Sequence, residues 1–246
     1  METSNKQRVA IVTGGSRGIG RAIAERLAAD GQSVVIAYSS NNAEANKTVE
    51  EIKATGGRVI AVQADVADQE AVNRLFDKAE EKFGGIDVVV NSAGIMILDT
   101  VANFDLDKLD RMHRTNIRGT FVVNQQAARR VRSGGAIINL STSVKKLALP
   151  TYAAYAASKG AVDAISLVLA KELRGRDITV NAVAPGPTAT DLFLEGKDAA
   201  TIEHMAKMNP IERLGRPEDI AEVVSFLAGP ARWINGQTIY ANGGMV

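Results

Sequence analysis

An α/β fold, with one doubly wound parallel sheet and helices on both faces, is predicted for this 246-residue chain by three observations. Short apolar runs rich in valine and isoleucine recur along the sequence, stretches of helical period lie between them, and a glycine-rich turn follows the first run at once. Strands buried on both faces read as continuous apolar segments, and helices are what cover those faces.

The elements follow in order. RVAIVTGG is a buried strand ending in the turn, and GIGRAIAERLAADG carries apolar residues at helical spacing until Gly31 stops it. The rhythm repeats through SVVIAYS, the charged NAEANKTVEEIKATGG, RVIAVQADV, the helical QEAVNRLFDKAEEKFGG and IDVVVNSAG. One helix is expected through DLDKLDRMHRTNIRGTFVVNQQAARRV, then the strand GAIINLS and a helix from about Ala154 to Arg174. The strands DITVNAVAP and QTIYANG follow. From Thr188 to Arg216 the alternation breaks into an amphipathic excursion, expected to be a flap over a substrate site. With no internal repeat, low-complexity tract or linker, residues 1–246 read as a single domain.

Composition narrows the function. The 29 basic residues against 28 acidic give no electrostatic preference for nucleic acid or an anionic membrane. There is no cysteine, and His113 and His204 stand far apart, so neither disulfides, cysteine nucleophiles nor a metal site are expected. METSNKQRVAIVTGG lacks the long apolar core of a secretory signal, and no segment is expected to reach the ~20 apolar residues of a membrane helix. A cytoplasmic protein is the expectation.

TGGSRGIG sets Gly14, Gly18 and Gly20 between the first strand and its helix, with Ser16, Arg17 and Ile19 among them. Glycines let the backbone approach a pyrophosphate, and the helix N-terminus presents unpaired amides to its charge, as in Rossmann-like folds. The lysine and hydroxyl pair of a Walker motif is missing, which argues against that class of phosphoryl transfer. At the end of the second strand a carboxylate would favour NAD by binding a ribose diol. Ser39, Ser40 and Asn41 occupy that place, and the Arg17 guanidinium suits a 2′-phosphate, so NADP(H) is the expected cofactor. Asp65 and Val66, ending the third strand, are candidates to hold the adenine. Asn91, Ala93 and Gly94 would leave room for a dinucleotide after the fourth.

YAAYAASKGA contains two tyrosines, and only Tyr155 has a lysine four residues on, Lys159, on the same helical face; Tyr152 has Ala156. A nearby ammonium favours the phenolate and tunes the phenol as a proton donor.

With these residues in hand the chain resembles the short-chain dehydrogenase/reductase family along essentially its whole length, and especially its 3-oxoacyl-[acyl-carrier-protein] reductases. TGGSRGIG, Asp65 and Val66, NSAG, Asn116 in TNIRG, YAASK and PGPTAT carry the likeness. The resemblance implies that Tyr155 donates the proton in carbonyl reduction, and that Lys159 lowers its pKa and holds the nicotinamide ribose. It further implies that Asn116 sustains a water relay through its helix backbone, and that Pro185, Gly186, Thr188 and Thr190 surround the nicotinamide and its phosphates. One departure concerns the serine that the family sets thirteen residues before the tyrosine to polarise the substrate oxygen. That count lands on Thr142 in LSTSV, with Ser141 and Ser143 beside it. If the strand ran on, Ser141 and Ser143 would share a face opposite Thr142. Thr142 and Ser143 stand as rivals, Ser143 preferred.

The expected function is NADPH-dependent reduction of a carbonyl to a secondary alcohol, with a 3-oxoacyl thioester as the leading substrate. Arg129, Arg130, Arg132 and Arg176 are the arginines expected to meet an acyl carrier protein beside the cleft. The alternatives are a small ketone, sugar or polyol as substrate, or a non-catalytic NADP-binding protein. By the same resemblance a homotetramer or homodimer is expected, formed through the helix of the Tyr155–Lys159 pair and the one before it, with AVDAISLVLA supplying apolar surface.

Overall fold

The structure, a computed structural model, describes residues 7–246. Residues 1–6, the head of the stretch read above for a secretory signal, lie outside the described residues. The first half runs β1 (Val9–Thr13), α1 (Gly18–Ala29), β2 (Ser33–Tyr38), α2 (Asn42–Ala54), β3 (Arg58–Gln63), α3 (Gln69–Phe83) and β4 (Ile86–Asn91). The second runs α4 (Leu106–His113), a π-helical turn (Arg114–Arg118), α5 (Gly119–Arg130), β5 (Val131–Leu140), α6 (Val144–Leu147), α7 (Ala153–Glu172) and β6 (Thr179–Pro185). It closes with α8 (Asp191–Leu194), α9 (Ala199–Lys207), α10 (Pro217–Ala228) and β7 (Thr238–Ala241).

The seven strands form one parallel sheet in the order β3-β2-β1-β4-β5-β6-β7. The chain builds outward from β1 to β3, then crosses back to set β4 against the other side of β1. Where the order reverses, the connections after β1 and β4 diverge and leave a crevice beyond the carboxyl ends of those strands.

Alternate residues along each strand feed two separate cores. Ala10, Val12, Val34, Ile36, Val88 and Val90 pack with α1, α2 and α10, whereas Ile11, Val35, Val89 and Ile137 pack with α3, α5 and α7. Both sets are almost wholly removed from water, which is why the strands read as unbroken apolar runs. Local signals set the helix ends: Asp68 accepts from the amides of Glu70 and Ala71 at the start of α3, and Gly84 ends it with φ 82°.

Four sequence expectations change. The single helix expected after β4 is broken by the π turn at Arg114–Arg118, and β5 begins at Val131, ahead of the expected GAIINLS. The strand also stops at Leu140, so residues 141–143 turn away from it toward α6, whose N-cap Ser143 already has helical φ −71° and ψ −19°. Finally, α7 is twenty residues long with a mean hydropathy of 1.2, long and apolar enough by length and composition to cross a membrane. Its inner face packs on the sheet and carries buried Ser158, Lys159 and Ser166.

The expected flap is an excursion closed at its base. Thr188 pairs with Gly215 in a parallel bridge, and the Ala189 and Gly215 amides donate to Gly215 and Pro187 carbonyls, each at 2.8 Å. Between those ends α8 and α9 stand over the crevice.

Candidate active site

A cleft of about 430 Å³ opens at the carboxyl edge of the sheet, from Tyr38 and Ser39 after β2 to Phe193 and Met205 in the flap. Its floor is the β1–α1 turn. A Cβ at Gly20 would lie 2.1 Å from the Gly14 carbonyl oxygen, and one at Gly14, where φ is +65°, would lie 3.0 Å from the Ala93 backbone. Only glycine lets the turn close this tightly against the β4 loop, which leaves a cradle at the start of α1 where a pyrophosphate can meet backbone amides.

Ser16, Arg17, Gly18 and Ile19 line the same cleft, as do Val66, Ala93, Gly94, Pro185, Gly186, Thr188 and Thr190. At the β2 end Ser39 reaches it, with no carboxylate beside it, and Arg17 makes no ion pair among the described residues. This end accepts a phosphate on the adenosine ribose. Three expected cofactor contacts do not reach the cleft wall. The Asn41 side chain accepts from the Glu44 amide at 3.1 Å and so caps α2, while Ser40 is exposed beside it. Asn91 is buried in the sheet, its Oδ1 accepting from Thr13 Oγ1 at 3.0 Å. Asp65 lines the cleft but is already engaged, accepting from the Ala67 amide at 2.9 Å and from Arg114 Nη1 at 2.7 Å. The two bonds from Ala67 and Arg114 outweigh partial burial and hold the Asp65 carboxyl below its usual range. Arg114 itself lines the cleft, a residue the sequence reading missed.

The reacting end is built on α7 and the segment after β5. Lys159 Nζ donates to the Leu140 carbonyl at 2.7 Å and lies 5.9 Å from the Tyr155 ring centre. Enclosure pushes the Tyr155 phenol up to about 12, the Tyr152 phenol nearby adds to this, and the Thr142 hydroxyl within hydrogen-bonding reach opposes it. Enclosure also lowers the Lys159 ammonium to about 8. At neutral pH Tyr155 is therefore a protonated donor beside a cation.

Among the rival hydroxyls, Thr142 is the one beside Tyr155. Ser143 Oγ is turned the other way, donating to the Ala184 carbonyl at 3.2 Å and accepting from Asn242 Nδ2 at 3.2 Å. The preference for Ser143, drawn from the Ser-Val pair at 143–144, is corrected: the strand ends at Leu140 and the turn into α6 aims Ser143 Oγ at Ala184 and Asn242 instead. Ser141 Oγ points to α7, toward the Lys159 carbonyl at 3.4 Å.

Asn116 sits in the π turn, fully buried and outside the cleft wall. Its side chain clasps Ile95 in both directions, Oδ1 accepting from the amide and Nδ2 donating to the carbonyl, each at 2.9 Å, and Nδ2 also donates to Ser158 Oγ at 3.1 Å. It thereby ties the β4 loop to α7 one residue before Lys159. A Cβ on Gly94 would lie 3.2 Å from Asn116 Oδ1 and 3.5 Å from Lys159 Nζ, so the bare glycine keeps these groups close.

The arginines expected at the cleft mouth lie at the opposite edge of the sheet. Arg129 and Arg130 end α5 just before β5, Arg132 is the second residue of β5, and Arg176 precedes β6. Arg130 pairs with Asp77 and Glu80, Arg132 with Asp87, and Arg176 donates to the Val131 carbonyl at 3.2 Å. None of the four lines the cleft.

A family model described as enoyl-(acyl carrier protein) reductase matches residues 14–246. The chain is 46% identical to a short-chain type dehydrogenase/reductase of Picea abies over 97% of this chain and 92% of that one. It is 43% identical to an NADPH-dependent aldehyde reductase-like chloroplastic protein of Arabidopsis thaliana, covering 97% and 94% respectively. A short chain dehydrogenase from Burkholderia cenocepacia, solved in complex with NADP, superposes with a TM-score of 0.92 at 40% identity, covering 98% of this chain and 99% of that one. With the parallel sheet, the glycine cradle and the Tyr155–Lys159 pair already described, the chain belongs to the short-chain dehydrogenase/reductase family. It is an NADP-dependent oxidoreductase that interconverts a carbonyl and an alcohol.

Proposed function

We propose that the enzyme reduces a free aldehyde or ketone of modest size, with Tyr155 as proton donor and Thr142 as the polarising hydroxyl. The observation that carries this reading is the convergence of the Tyr155 phenol, the Thr142 hydroxyl and the Lys159 ammonium at the reacting end of one cleft. Bound NADPH supplies the hydride. Thr142 donates a hydrogen bond to the carbonyl oxygen, and Tyr155 delivers its proton to that oxygen as negative charge grows there. Lys159 stabilises the phenolate left behind, and Asn116 acts as a positioning residue through Ile95 and Ser158.

The substrate side of the cleft is walled by Met96, Leu147, Leu192, Phe193 and Met205, with the Tyr152 ring among them. These walls suit an uncharged, apolar carbonyl compound. Likeness to the NADPH-dependent aldehyde reductase-like relative supports the same class. The acyl-carrier reading loses the arginines on which it leaned, since none of the four lines the cleft, Arg130 and Arg132 are held in ion pairs at the far edge, and Arg176 donates to a backbone carbonyl there. A kcat/KM panel with NADPH, containing an aromatic aldehyde, an aliphatic aldehyde, a cyclic ketone, a ketosugar and a 3-oxoacyl thioester, tests the choice. Aldehydes and the cyclic ketone should exceed the thioester and the sugar by about tenfold or more. A thioester rate above all of them would restore the acyl-carrier reading.

Self-association is part of the same proposal. Phe121 on α5 and Leu167 and Val168 on α7 are 58%, 47% and 54% exposed in the isolated chain. They extend the apolar outer surface of the two helices expected to meet a second copy.

A further inference from the structure

Outside the cleft wall, but against the reacting end, lies a partly buried ion pair that the chemistry above does not use. Lys145 is the second residue of α6, the single helical turn that follows Thr142, and Asp163 lies on α7. Their side chains are 13% and 25% exposed, and Lys145 Nζ contacts Asp163 Oδ2. Lys145 Nζ also donates to Ser141 Oγ at 2.7 Å, and Ser141 Oγ donates to the Lys159 carbonyl at 3.4 Å. The second Asp163 oxygen, Oδ1, is buried with no partner among the described residues. Asp163 stands four residues beyond Lys159 and eight beyond Tyr155, on the same helical face.

Two lysines and an aspartate are therefore gathered where the fold alone would accept apolar side chains. Taking such a pair out of water is costly, and apolar replacements of similar volume often fold as well or better. What the pair does here is connect two segments. Ser141 and Lys145 flank Thr142 in the chain, and Asp163 belongs to the helix that carries Tyr155 and Lys159. On its other side α6 is held by β7, where the Tyr240 ring centre lies 4.2 Å from Lys146 Nζ and 5.9 Å from Lys145 Nζ.

We propose that Lys145 and Asp163 are positioning residues for the reduction, pinning the Thr142 segment to the catalytic helix and keeping the charge beside Lys159 balanced. This rests on the reading of Tyr155, Thr142 and Lys159 given above. The charged and titratable groups around the pair are Lys146 on α6, Tyr152 at the N-cap of α7, Tyr155 and Lys159 on α7, and Tyr240 on β7. After burial, the largest influence lowering Lys159 is Lys145. Burial and Lys146 also lower Lys145 itself, to about 8.

The two halves of the pair act on Lys159 with opposite sign, which a merely structural clamp would not do. Lys145→Met removes the cation that lowers Lys159 and leaves the Asp163 anion one helical turn away, so it favours the ammonium and should move the alkaline limb of the reduction rate up by about half a pH unit. Asp163→Asn leaves an uncompensated cation and should move the limb down by a similar amount. The double variant should return the limb to the wild-type position with kcat still lowered about tenfold, and Lys145→Arg should keep both limb and kcat close to wild type. NADPH affinity should stay within about threefold throughout, because neither residue lines the cleft. The experiment is pH-dependent single-turnover reduction of an aromatic aldehyde by these four variants, with Tyr155→Phe run alongside. Superimposable pH limbs, or shifts of both single variants in one direction, overturn the proposal. Should Lys145→Met fail to fold, the downward shift of Asp163→Asn set against Lys145→Arg carries the test alone. Full activity of Tyr155→Phe would instead overturn the reading on which the proposal rests.

Discussion

Thr142 differs from Ser143 only by a methyl group and one step along the chain, yet the two hydroxyls face different partners. Thr142 lies by the Tyr155 phenol, and Ser143 is held between the Ala184 carbonyl and Asn242. Thr142→Val should lower kcat by about a hundredfold, the usual cost of losing a donor to a developing oxyanion. Ser143→Ala should keep kcat within about threefold and lower stability by about 1 kcal/mol, the typical worth of one hydrogen bond. Steady-state kinetics and thermal melts of the two variants check this, and a large kcat loss confined to Ser143→Ala would reverse the assignment. The pH dependence follows from Tyr155 and Lys159. Tyr155 is raised to about 12, so it keeps its proton across the neutral range. Lys159 is lowered to about 8, so it is charged below that value and neutral above it. Reduction should be level near neutrality and fall as pH rises through about 8, because the phenolate then forms without its cation. A rate that climbs across that interval would contradict the account.

At the scale of elements, the start of α1 and the end of β2 decide the cofactor. The glycine cradle is common to either dinucleotide, whereas Arg17 and the absence of a carboxylate near Ser39 bear only on the 2′-phosphate. Arg17→Ala should weaken NADPH binding about tenfold and leave NADH binding unchanged, read by cofactor fluorescence titration. Equal weakening of both would show that Arg17 serves the shared pyrophosphate. Much of this region was legible in the sequence because each strand end is a fixed place in the topology: Gly14, Ser39, Val66 and Ala93 all reach the cleft as read. Asn41 and Asn91 were not, because an asparagine at a strand or helix end serves a cap or a sheet contact as readily as a ligand, and only side-chain direction separates these. The π turn around Asn116 left no trace in the hydrophobic pattern, since one extra residue per turn does not disturb apolar spacing enough to be seen.

For the whole molecule, strand order explains a misreading that composition invited. Arg130 and Arg132 flank the start of β5 and Arg176 comes shortly before β6, so a parallel sheet puts them all at the edge away from the cleft. Charge alone carries no information about which sheet edge a residue occupies, whereas its place before or after a strand does. The helical rhythm and the two cores were legible because burial on both faces forces unbroken apolar strands. Assembly is a property of the outer surface, where α5 and α7 leave Phe121, Leu167 and Val168 bare. Sedimentation of the wild-type chain at micromolar concentration should show a dimer or tetramer, and Leu167→Glu with Val168→Glu should shift it toward a 26.1 kDa species. A wild-type monomer would defeat that part of the account.

The central claim is that proton delivery by Tyr155 is separable from cofactor binding, and Tyr155→Phe tests it most directly. The measurement is single-turnover hydride transfer from bound NADPH to an aromatic aldehyde, paired with NADPH titration of the same variant. The account predicts a transfer rate lowered by at least about a hundredfold, within the range of a lost general acid, and an NADPH affinity within about threefold of wild type. Hydride transfer at the wild-type rate in the variant, with NADPH bound, would contradict it.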